Sequence, residues 1–202
     1  MDSLRFADLY LAAFYTMVAV FYTVLIKHRS AESCGSRMVH PGNPFCLHWW
    51  NHLTFRIMRI LIWLVCISLA FFPATVKFIG VLPLAESGII RLTGIVILTL
   101  GFALAVSSNF VLNKAWRSGI DLSAPDLLHQ TGLYRLSRNP GYIGVALGQV
   151  GFFLALPSIF TLFCLLIGII SLNIQIHLEE QHLGLKFKEI YQQYCAAVPR
   201  WL

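Results

Sequence analysis

Apolar residues run along this chain in long stretches separated by short polar ones, the pattern of helices that cross a lipid bilayer. A crossing takes about 20 mostly apolar residues. Phe6 to Ile26, Ile57 to Phe78 and Ile89 to Val111 meet that length, and two further runs, Tyr142 to Leu156 and Ile159 to Ile176, are separated only by Pro157 and Ser158. The last two read as a helical hairpin, giving about five spans. The fourth is short: about 15 residues at a rise of about 1.5 Å reach only about 22 Å, so it is either a tilted part of a longer helix or one arm of a shallow hairpin. Gly141, Gly144, Gly148 and Gly151 favour close helix contact in either arrangement. The first run starts too late and is too long for a cleaved signal peptide, and is expected to be a mature helix.

Beyond the last span the spacing becomes amphipathic. Leu183, Phe187, Ile190, Tyr191 and Tyr194 fall on one side, His182, Lys186, Glu189 and Gln193 on the other, and Pro199 ends the pattern. The expected fold is therefore all-α: one integral membrane domain over 1–202, with about five transmembrane helices, a hairpin at spans four and five, and a cytoplasmic amphipathic C-terminal helix.

Composition supports the membrane and excludes much else. Hydrophobic residues make up 57% of the 202 and charged residues 12%, and the mean hydropathy is +0.71, too apolar for a soluble domain of this size. With the C-terminus inside, Lys27, Arg29, Arg37, Arg56, Arg59, Lys114, Arg117, Arg135, Arg138, Lys186, Lys188 and Arg200 collect on the cytoplasmic face, and only Arg5, Lys77 and Arg91 lie outside. The net charge of +6 then reflects topology and contact with anionic membrane lipids rather than nucleic-acid binding. The five cysteines form no disulfide pattern in a reducing compartment, and free thiols are expected. A loop over 28–55 carries Cys34, His40, Cys46, His48 and His52, but its cysteines are twelve apart with no short pair. These read as interfacial polar residues, with Trp49 and Trp50 as an aromatic belt before the second span, and no metal is expected.

Two polar motifs flank the hairpin. Gly132 to Gly144 reads Gly-Leu-Tyr-Arg-Leu-Ser-Arg-Asn-Pro-Gly-Tyr-Ile-Gly, and Glu179 to Leu183 reads Glu-Glu-Gln-His-Leu, continuing through Phe187, Tyr191 and Tyr194 to Val-Pro-Arg-Trp at 198–201. Together, over roughly residues 101 to 202, they resemble the isoprenylcysteine carboxyl methyltransferase family and its phospholipid methyltransferase relatives, integral-membrane enzymes that use S-adenosylmethionine. The resemblance implies methyl transfer to a lipophilic acceptor, a prenylated substrate or another small lipid-like molecule, with the active site on the cytoplasmic face.

Methyl transfer from a sulfonium is an in-line displacement, which needs alignment and exclusion of water. Arg138 can fork onto a carboxylate, and Pro140 keeps Asn139 out of the helix. Relatives that carry His at the position of Asn139 have a titratable group that this chain lacks. By resemblance, Leu128, His129, Gln130, Gly132 and Tyr134 line the adenine, and Arg138, Asn139, Tyr142, His177, Glu179, Glu180, Tyr191 and Arg200 complete the cofactor site, with Arg138 and Glu180 as the catalytic pair. Helical spacing puts Asn173, His177, Glu180 and Gly184 on one inward stripe, where Glu180 holds the cofactor's ammonium or orients Arg138, and turns Glu179 toward solvent. Ser107, Ser108, Asn109 and Asn113 end the third span, and Ser107, Asn109 and Asn113 are the expected acceptor contacts. No arginine stands between Arg91 and Arg117, where prenylcysteine enzymes carry one, so a neutral acceptor reached laterally between the third span and the hairpin suits this lining better than a carboxylate. Two other readings are open on sequence: a catalytically inactive scaffold, against which stand intact Arg138, Tyr142, Glu180 and Arg200, and a nicotinamide-dependent reductase of similar fold, whose members have about twice as many spans.

Overall fold

The computed structural model describes residues 3–32, 39–112, 118–120 and 127–202. Five helices carry the fold: α1 (Ser3–Glu32), α2 (Leu47–Phe71), α3 (Gly88–Leu112), α4 (Pro140–Ala155) and α5 (Ile159–Ala197). Strands β1 (Val39–His40) and β2 (Ser118–Gly119) pair in parallel. α1, α2, α3 and α5 are each long and apolar enough to cross a membrane, whereas α4, with 16 residues, is the shorter apolar helix. Cys34 and Asn113 lie outside the described residues.

Two expected boundaries move. α2 begins at Leu47, with the Cys46 sulfur accepting from Trp49 N, and Pro73 opens a separate 3₁₀ turn to Phe78. Proline disfavours helix at the residue before it and removes a donor, so the second span sits earlier than the Ile57 to Phe78 run. His48 and His52, read as loop residues, and Arg56, which precedes the expected span, are on this helix. The second change is that the last span runs on past Ile176 without a gap, so that α5 is two helical stretches joined end to end, the second being the C-terminal one. α5 bends at Lys188, whose φ of 47° and ψ of −117° are non-helical, and the bend resets the helical phase. Tyr191, Tyr194 and Val198 then cluster with Leu128, Leu183, Phe187 and Cys195, while Ile190, expected on that face, is 56% exposed.

α3 and α4 meet backbone to backbone. A Cβ built on Gly101 would come within 3.0 Å of Gly148, and one on Gly144 within 3.0 Å of Ala105, with Gly94 and Gly151 equally tight about two turns away. This seam closes the lateral route expected between the third span and the hairpin. α1 packs Ala7, Leu11 and Phe14 against Cys66 and Leu69 of α2, Ile95 and Leu98 of α3, and Phe152 of α4. α2 is tied to α5 through Asn51 Nδ2, which donates to Ser171 O at 3.1 Å and Gln175 Oε1 at 3.3 Å.

The helices align the chain into two ends. At one, Arg91 pairs with Asp8 at 2.6 Å and donates to Ala155 O at 3.0 Å, while Ile159 N donates to Gly80 O at 2.8 Å. Arg91 is thus a buried anchor rather than a free surface charge. The opposite end gathers Arg29, the strand pair, the 131–140 loop and the last turns of α5.

Candidate active site

The 131–140 loop is folded onto the C-terminal tail. Gly132 supplies a positive φ of 60° and a 3₁₀ turn follows to Arg135. Arg138 N donates to Pro199 O at 3.0 Å, Ser137 Oγ to Arg200 O at 3.1 Å, and Tyr194 Oη to Tyr134 O at 2.6 Å. Asn139 leaves the helical region at φ −131°, as the proline after it requires, and Pro140 takes the first position of α4.

This folding converges on Glu180, which is 9% exposed. Arg200 grips its carboxylate from Nη2 at 2.6 Å and Nε at 3.3 Å, Asn139 Nδ2 donates at 3.1 Å, and Arg138 Nη1 stands 3.6 Å away. A carboxylate so occupied positions Arg138 and closes the tail over the loop. Of the two partners expected for Glu180, Arg138 is the one that this geometry brings within reach. Burial opposes the Arg138 charge, but Glu180 and the neighbouring Cys195, to whose sulfur Nη1 donates at 2.6 Å, outweigh it and hold the guanidinium above its ordinary value. Arg138 Nε and the Tyr191 hydroxyl are buried without partners.

Glu179 differs from expectation. It is not a solvated charge: Tyr142 Oη donates to it at 2.5 Å and Gln175 Nε2 at 2.8 Å. The inward stripe is also displaced. Asn173 and His177 are exposed, Asn173 bonding back to Ile169 O and His177 to Gln181, and the polar face toward the bundle is Ser171, Gln175 and Glu179. α5 has neighbours on two sides, so adjacent glutamates serve both: Glu180 faces the loop and tail, Glu179 faces α4.

A cavity of about 670 Å³ joins these groups to the bundle interior. Its polar end is lined by Leu128, His129, Tyr134, Arg138, Asn139, Tyr142, Glu179, Glu180 and Tyr191, and Asn109 also reaches it. Burial, with the negative charge of Glu179 nearby, pushes the Tyr134 phenol well above its usual range, so it stays a neutral donor. Gln130, Gly132, His177, Arg200 and Ser107 do not line the cavity. Arg200 acts on it through Glu180, Ser107 is exposed, and Gly132 serves the turn. Asn109 donates to Tyr22 Oη at 3.2 Å.

The family model for phospholipid methyltransferase matches residues 89–193, over half of the chain. The chain belongs to the phospholipid methyltransferase family. No curated protein and no solved structure matches it. Membership makes it an integral-membrane methyltransferase. The match spans nearly all of α3, the loop that carries Arg138, α4 with Tyr142, and most of α5 with Glu179 and Glu180. α1 and α2 lie outside it yet complete the cavity of this methyltransferase: Phe14, Tyr15, Tyr22, His52, Arg56 and Arg59 line it. Cation is thus not missing from the cavity, as the gap between Arg91 and Arg117 suggested; α2 supplies it. Gln149 and Gln175 also line it, and both stood in the sequence as isolated amides in apolar runs, a signal of function in a membrane.

Proposed function

We propose that this methyltransferase binds S-adenosylmethionine at the Arg138 end of the cavity, on the cytoplasmic side of the membrane, and methylates a lipophilic acceptor held in the apolar remainder. The observation that carries the reading is the continuity of one cavity from Arg138, Tyr191 and Glu179 to the aromatic residues Phe14, Phe102 and Phe152.

The residues fit the cofactor. Arg138 Nε and Tyr191 Oη are buried donors with nothing to donate to, and orphaned donors of this kind are costly unless a ligand acceptor meets them. They suit its carboxylate. Glu179 accepts from two neutral donors, Tyr142 and Gln175, and its carboxyl group stands where it can meet the ammonium or sulfonium. Leu128, His129 and Tyr134 wall the adenine side. When bound, the group supplies an electrophilic methyl on a positive sulfur. The chain supplies alignment and dryness: the Glu180 to Arg200 clamp keeps loop and tail closed over the polar end, and the α3–α4 seam keeps lipid from parting that wall. The remaining lateral walls are α1, α2 and α5, and the acceptor comes in past them.

A second reading, prenylcysteine as acceptor, has Arg56 and Arg59 in its favour, since either can meet a carboxylate. The test is incubation of purified protein with isotopically labelled S-adenosylmethionine and a membrane lipid extract, followed by mass spectrometry. Label in a lipid-soluble product, lost with Arg138→Ala, is expected; cofactor binding without any labelled product would favour an inactive scaffold.

A further inference from the structure

Beyond the cofactor end, two buried polar atoms in the cavity wall have no partner. One is Nε2 of His52 on α2, the other the carboxamide oxygen of Gln149 on α4. Leaving such groups unsatisfied in an apolar interior costs roughly 1–3 kcal/mol each, and in a membrane no water offsets it. The Gln149 carboxamide lies against α5 at Gly168, in the space that a Cβ there would take.

Their levels in the bundle agree. Asn51, one residue before His52, bonds Ser171 O and Gln175 Oε1, which puts His52 about one turn from Glu179 toward the bundle interior. Gln149 at Gly168 lies about one turn deeper. A molecule extending from the Arg138 end into the apolar interior passes between them. Arg56 and Arg59 also line the cavity, further along α2; the groups left without a partner at this level are an imidazole nitrogen and an amide oxygen.

We infer that His52 accepts a proton from the methyl acceptor and that Gln149 positions that acceptor through the same N–H, S–H or O–H hydrogen-bond chemistry, so the acceptor is a protic lipophile rather than a carboxylate. This rests on the methyltransferase reading above. A neutral imidazole with its proton on Nδ1 leaves a lone pair at Nε2. In the step, the acceptor's lone pair forms the new bond to the methyl carbon. The sulfur–methyl bond of the donor breaks with its electrons remaining on sulfur, which becomes a neutral thioether. The proton from the acceptor heteroatom passes to Nε2 and is later released to water. A carboxylate acceptor carries no such proton and leaves His52 without a task.

The charged and titratable groups around this part of the cavity are His48, Arg56 and Arg59 on the same helix, Tyr22 on α1, Tyr142 on α4 and Glu179 on α5. Among these residue types only histidine ordinarily changes charge between about pH 5 and 8, and His48 is held by Nε2 to the His40 carbonyl at 2.8 Å.

The experiment uses the full chain in lipid nanodiscs, with wild type, His52→Gln, His52→Asn and Gln149→Leu, and with dodecanethiol, dodecylamine and farnesylcysteine as acceptors. Cofactor affinity by calorimetry serves as the folding control. The expected result is turnover of a protic probe by wild type, with a rate that rises as pH passes through the histidine range. Both His52 variants lower kcat about 100-fold and flatten the pH profile while binding cofactor normally. Gln149→Leu raises KM about tenfold with kcat kept, as loss of one buried hydrogen bond to substrate would. Cofactor binding without turnover of either protic probe, preference for farnesylcysteine, or an unchanged pH profile in His52→Gln overturns the inference and leaves the methyltransferase reading standing. Failure of wild type to bind cofactor strikes that reading instead.

Discussion

Glu180 is held by two guanidiniums and an amide, whereas Glu179 is held by a phenol and an amide, and the two carboxylates should answer differently to removal. Glu180→Ala releases Arg200 and Asn139 and loosens the tail. Because Arg200 is 46% exposed, its part is screened by solvent, and the expected loss of stability is about 1–3 kcal/mol, read as an earlier thermal unfolding transition. Glu179→Gln keeps the Tyr142 contact and should leave that transition in place while weakening cofactor binding about tenfold, or about 1.4 kcal/mol. A matching loss of stability in both variants would show that Glu179 is structural. Arg138, Tyr142 and Glu180 were legible in the sequence because two short motifs mark them. The role of Glu179 was not, because helical spacing assigns a residue to one face and cannot say that α5 is covered on two. Arg138 Nε and Tyr191 Oη are orphaned only by their burial, which appears once the loop and tail have folded together.

At the scale of elements, the α3–α4 seam is the contact most sensitive to a single methyl group. Gly144→Ala places its Cβ within 3.0 Å of the α3 backbone, whereas Gly148→Ala meets only the end of Leu98, at 3.9 Å. Forcing atoms into a packed seam costs about 1–3 kcal/mol, so Gly144→Ala should unfold at lower temperature in detergent and Gly148→Ala close to wild type; equal behaviour would mean that the helices stand further apart. The glycines of α4 were readable as a contact surface in the sequence. Their partners Gly94 and Gly101 were not singled out, because seven-residue spacing in a uniformly apolar run carries no period of its own. The start of α2 was hidden for a related reason: polar His48, His52 and Arg56 fall outside a span that hydropathy alone defines, yet the helix there carries His52 and Arg56 to the cavity wall and His48 to the His40 carbonyl. The run of α5 past Ile176 was obscured by its composition, which turns polar there while the helix goes on as far as Lys188.

The whole molecule is an asymmetric bundle, with its polar groups gathered at one end of a cavity and its apolar interior open to the rest. On the charge distribution along the chain that polar end is expected in the cytoplasm, and a variant keeping Cys46 as its single cysteine tests this. The thiol is free and half-buried at the start of α2; an impermeant maleimide should leave it unlabelled in intact cells and label it after permeabilisation. Labelling in intact cells would put the polar end outside, away from the expected cofactor supply. The central claim, that the polar end of this cavity is a cofactor site, is met most directly by calorimetric titration of S-adenosylmethionine into the purified wild-type chain and into Arg138→Ala. The expected result is one saturable site in wild type, weakened at least tenfold in a variant that still unfolds cooperatively. Folded wild-type protein that takes up no S-adenosylmethionine, or an Arg138→Ala chain that binds it as tightly as wild type, would contradict the account.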